Sequence, residues 1–125
     1  MQDMRIKLSI LWVALMLTYL LGDVLRIFAG DFVAGEVDGV KISQMVYLGM
    51  AIFLVTPIVM VFLSLILPHK VNRWANIILP LIFFIFNIIG LPTYQSYYDQ
   101  FLIIVGLLFN LVTVLYAWNW REFNL

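Results

Sequence analysis

Apolar residues run through this chain in four long stretches, Leu8–Phe28, Gln44–Leu67, Trp74–Pro92 and Tyr98–Trp120, with polar and charged residues confined mostly to the gaps. A helix needs about 20 apolar residues to cross the roughly 30 Å hydrocarbon core of a bilayer. Each stretch meets that length. The pattern therefore predicts an all-α protein, a four-helix bundle integral to a membrane, forming one domain over residues 1–125.

Breaks in the pattern set the joints. Pro68 follows the second stretch, where it cannot continue a helix, and Asn72 is the residue type expected to cap the third. Ser43 is placed to cap the second helix. The first loop carries Asp31, Glu36 and Asp38 among several glycines. Three carboxylates suggest calcium, but the spacing is not that of an EF-hand loop, and solvated loop charges are the simpler expectation. The first stretch is too long for a signal peptide, and Gly22-Asp23-Val24-Leu25-Arg26 does not read as a cleavage site, so a retained spanning helix is expected.

Composition agrees with the pattern. Hydrophobic residues make up 65% and charged residues 11% of the chain, against about half and a quarter in soluble domains. Formal net charge is zero and Lys and Arg number only seven, which argues against a nucleic-acid partner. The absence of cysteine removes disulfides, thiol redox chemistry and cysteine-ligated metals.

Cations give an orientation. Arg5, Lys7, Lys70, Arg73 and Arg121 fall on one side, and Arg26 and Lys41 on the other. Cytoplasmic loops carry the excess of Lys and Arg, so both termini and the middle loop are expected in the cytoplasm. Trp12, Trp74, Trp118 and Trp120 then lie toward the inner interface, and Tyr47, Tyr94, Tyr97 and Tyr98 toward the outer one, as headgroup-level anchors. Lys70, Arg73 and Trp74 form an inner edge suited to anionic lipid headgroups.

Polar residues within the apolar stretches are the candidates for function. Asp23 is the one acid away from the ends of these stretches, and an ionisable group inside a membrane is expensive enough to need a reason. Arg26 is three residues on, so a local pair is expected; a cavity-facing, proton- or cation-binding acid is the alternative. Asn87 and Asn110 sit near the middle of their helices, where amides bond neighbouring helices or line a polar cavity. Thr56 precedes Pro57, and Pro80 interrupts the third stretch; each proline frees one backbone carbonyl, of Phe53 and of Asn76. Gly22, Gly49 and Gly106 permit close helix approach. Enzymatic chemistry lacks its parts: His69 is the sole histidine, no two histidines pair, and no serine has a base. No cofactor is expected.

The segments Lys7-Leu8-Ser9, Leu11-Trp12, Phe62-Leu63-Ser64, Lys70-Val71-Asn72-Arg73-Trp74-Ala75-Asn76 and Tyr116-Ala117-Trp118-Asn119-Trp120-Arg121 resemble a bacterial family of small four-helix integral membrane proteins known only as a domain of unknown function. The resemblance covers essentially the whole chain. It implies a four-helix fold, and the inner membrane of a bacterium, but no activity. Acids that such relatives carry before the second-helix proline and in the fourth helix are missing from Val55-Thr56-Pro57 and from Gly106–Thr113. Two functions are therefore expected to compete. One is a non-enzymatic bundle that binds a lipid or other hydrophobic ligand, or a membrane partner. The other is a small proton- or cation-coupled transporter acting as a homodimer.

Overall fold

The structure is a computed structural model, and it describes residues 2–30, 36, 37, 40, 41, 43–93 and 96–120. Asp31, Phe32, Val33, Asp38, Tyr94 and Arg121 lie outside the described residues, as does the Glu36 side chain, so the calcium question at the first loop falls outside them too. Four helices dominate: α1 Gln2–Phe28, α2 Gln44–Ile66, α3 His69–Gly90 and α4 Tyr97–Trp118. Between α1 and α2, β1 (Glu36–Val37) and β2 (Val40–Lys41) pair antiparallel in a minimal hairpin. A single 3-10 turn, Leu91–Thr93, follows α3. All four helices are long and apolar enough to cross a membrane.

Local chemistry explains the ends. Ser43 caps α2 as expected, its hydroxyl accepting from the Val46 N–H at 3.3 Å. Gly30 stops α1 with φ 78°, a left-handed conformation that glycine adopts without steric cost. The start of α3 differs from the expectation. The helix begins at His69 with Pro68 at the capping position, and Asn72 lies fully buried inside its first turns. Pro68 has fixed φ and no N–H to lose, so it suits the entry to a helix. That frees the Asn72 side chain for the core. α1 likewise starts at Gln2, with Asp3 favourably placed at its positive N-terminal end.

The helices pack in the order α2, α1, α4, α3. α1 lies against α2 and α4, and α4 against α3, while the backbones of α2 and α3 barely approach each other. The interior is correspondingly aromatic. Phe83 of α3 packs against Phe53 of α2, with ring centroids 4.5 Å apart and planes tilted by 51°, and meets Trp12 and Tyr19 of α1 at 6.1 and 6.2 Å between ring centroids. Outward faces are largely apolar, with Phe62, Phe86, Ile89 and Phe101 exposed. Such a surface is costly in water and neutral in lipid.

Candidate functional site

Polar side chains gather at three depths. The first cluster lies beside the α2–α3 loop. Ser64, Asn72 and Asn76 are completely buried. Asn72 and Asn76 are four residues apart on α3, so both face α2. The Asn72 amide donates to the Ser64 carbonyl at 2.8 Å, and the Asn76 amide donates to the Asn72 side-chain oxygen at 2.7 Å. Trp12 of α1 donates its indole N–H to the Asn76 oxygen at 2.6 Å. Ser9 adds a bond from α1 to the Val61 carbonyl at 2.8 Å. Three helices are thus joined where an unpaired amide would be most expensive. Trp12 is therefore no interfacial anchor: it is 1% exposed, whereas Trp74 and Trp118 are exposed as anchors should be.

Around this cluster, arginines close helix ends. Arg73 donates to the Ala117 and Trp118 carbonyls of α4 at 3.1 and 2.9 Å, with its guanidinium 5.5 Å from the Trp74 and Trp118 ring centroids. Arg5 donates to the Leu67 carbonyl at the end of α2. Cations at helix C-termini satisfy orphan carbonyls and oppose the helix dipole. Of the expected headgroup edge, Lys70 is exposed, while Arg73 is engaged on α4.

At mid-depth, Asn87 of α3 donates to the Tyr19 hydroxyl of α1 at 2.8 Å. Asn110 of α4 lies beside the same hydroxyl and is 1% exposed. Two of the candidate amides therefore meet through Tyr19. Thr56 does not join them; its hydroxyl donates back to the Ile52 carbonyl of its own helix at 3.1 Å.

At the far end, Arg26 reaches beyond Asp23, the local partner expected from the sequence. Its ion pair runs across helices to Asp99 of α4, at 3.2 Å. Asp99 is almost buried, so its carboxylate has the greater need of a counter-charge. Asp23 is exposed on α1, within electrostatic reach of both groups. Asp99 was legible as the third residue after Ser96 in a Ser-x-x-Asp helix start.

Between α2 and α3 lies an apolar groove of about 430 Å³, lined by Val46, Gly49, Met50, Phe53, Leu54 and Phe86. Val46, Met50 and Phe86 are also exposed on the outside of the bundle, so the groove opens laterally. Gly49 makes no close helix approach; a Cβ there would meet nothing within 4 Å. Among the described residues, no three His, Asp or Glu side chains converge to hold a metal ion.

A family model described as a family of unknown function, DUF6326, matches residues 2–125. The chain belongs to that family. No curated protein and no solved structure matches it. In this DUF6326 member the groove and the polar clusters are the features that bear on function.

Proposed function

We propose that this protein is a non-enzymatic membrane bundle that holds the hydrocarbon chain of a lipid in the groove between α2 and α3. The protein then sits in a bacterial inner membrane with both termini in the cytoplasm, as its cation distribution favours.

The carrying observation is the groove. Its volume falls within the roughly 300–1,000 Å³ of ligand sites, yet its lining has no converging polar groups. Such a site reads hydrocarbon and not a headgroup. Its lateral opening suits entry from the bilayer, and the polar cluster at the α2–α3 loop holds the two helices together at one end while they diverge beyond it. A dimeric transporter would instead need an acid facing a path between helices. Asp99 is neutralised by Arg26, and Asp23 lies on the outer surface.

A diazirine-bearing fatty acid incorporated into membranes tests this directly. Photolysis is expected to label peptides containing Met50, Phe53 and Phe86. Labelling spread evenly over the outward faces of all four helices rejects the groove.

A further inference from the structure

The mid-depth cluster carries a second site. Asn110 is 1% exposed, and although the Tyr19 hydroxyl lies close enough to interact with it, neither its amide nitrogen nor its amide oxygen meets a protein partner in good hydrogen-bond geometry. It is held close to Tyr19. The position a Cβ would take on Gly106, one helical turn before Asn110 on the same face, lies 3.5 Å from the Tyr19 ring and 3.7 Å from Leu15. Tyr19 already accepts from Asn87, so its own O–H proton remains to be donated.

An amide brings two donors and an acceptor, and its burial without partners is among the costlier defects an interior can hold. The surroundings prescribe what satisfies it. The guest must accept from the Tyr19 hydroxyl or the Asn110 nitrogen and donate to the Asn110 oxygen. It must also be uncharged, since among the described residues no ionised side chain bonds to Tyr19, Asn87 or Asn110. A hydroxylic oxygen meets all three conditions.

We infer that Tyr19, Asn87 and Asn110 form a buried binding site for one hydroxylic oxygen, bridging α1, α3 and α4. The oxygen has two sources. One is a single water, the usual partner of buried polar groups that lack protein partners. The other is the hydroxyl of an amphipathic guest whose chain lies in the groove, since Phe83 contacts both Tyr19 and the groove residue Phe53. The site itself does not depend on the groove being occupied.

Crystallography of the full chain grown from a lipid phase tests the site. The expected result is density within hydrogen-bond distance of both an Asn110 amide atom and the Tyr19 oxygen. An isolated peak identifies water; a peak continuous with hydrocarbon density past Phe83 identifies a guest hydroxyl. An Asn110 amide bonded directly to protein atoms, with no density beside it, overturns the inference. Thermal unfolding of Asn110→Leu gives a second test. A satisfied amide makes this variant melt several degrees lower than the parent, and an unsatisfied one makes it melt higher, which also overturns the site.

Discussion

Trp12 and Asn76 stand sixty-four positions apart in the chain, and the indole N–H of the first donates to the amide oxygen of the second at 2.6 Å. Both are buried to within 1%. The bond ties α1 to the α2–α3 hairpin at the end where α2 and α3 are joined. Trp12→Phe keeps most of the ring and removes the donor. It should cost about 1–3 kcal/mol, since the Asn76 oxygen then keeps only the long 3.5 Å contact from Ser64. Asn76→Leu should cost more, because it strands Trp12 and Asn72 together. Denaturant unfolding in detergent measures both; equal, negligible effects would remove the cluster from the account.

The ion pair at the other end makes a contrast between two acids. Asp99→Asn removes the carboxylate that the half-buried Arg26 bonds across helices, and about 1–2 kcal/mol of stability should be lost, less than for a fully buried pair. Asp23→Asn should stay within about 0.5 kcal/mol of the parent, as exposed substitutions do. Thermal midpoints of the two variants decide. If Asp23→Asn is the more damaging, the local pairing with Arg26 is restored as the better description.

Arg73 closes α4 with two hydrogen bonds from one guanidinium. Lysine lacks that fork, so Arg73→Lys should behave nearly like Arg73→Gln, each losing about 1 kcal/mol. Hydrogen exchange should accelerate in the last turn of α4, around Leu115–Trp118, and stay unchanged in α2. Full protection in Arg73→Lys would show that charge alone holds the turn.

Gly49 separates the groove from the fold. A side chain there meets no neighbour within 4 Å, and glycine inside a helix is about 0.5–1 kcal/mol less stable than alanine. Gly49→Ala should therefore raise the unfolding midpoint slightly. Gly49→Leu should fill the groove without unfolding the bundle, and circular dichroism should show unchanged helix content.

Much of the architecture is written in the chain because membrane-crossing length and proline placement are local properties. The four spans, and Ser43 as a cap, follow from them. Helix starts hidden in polar sequence do not: α1 and α3 each begin several residues before their apolar runs, at Gln2 and His69. The cross-helix partners were less legible still. Asn87 and Asn110 stand out as amides in apolar helices, but Tyr19 joins them only because α1 packs beside both α3 and α4. Trp12 reads as an interfacial ring until tertiary packing buries it against Asn76. The spacing of Asn72 and Asn76 was the available signal, since two amides one turn apart face the same neighbour. The groove left no signal, because a divergence between α2 and α3 is a property of packing and not of any residue.

The central claim is that the α2–α3 groove holds a hydrocarbon chain. Native mass spectrometry of the protein released gently from membranes, run in parallel with Gly49→Leu, measures this most directly. One defined lipid mass is expected on the parent, and its loss from a folded Gly49→Leu. A parent that carries no lipid and appears as an empty dimer, or a lipid retained equally by Gly49→Leu, would contradict it.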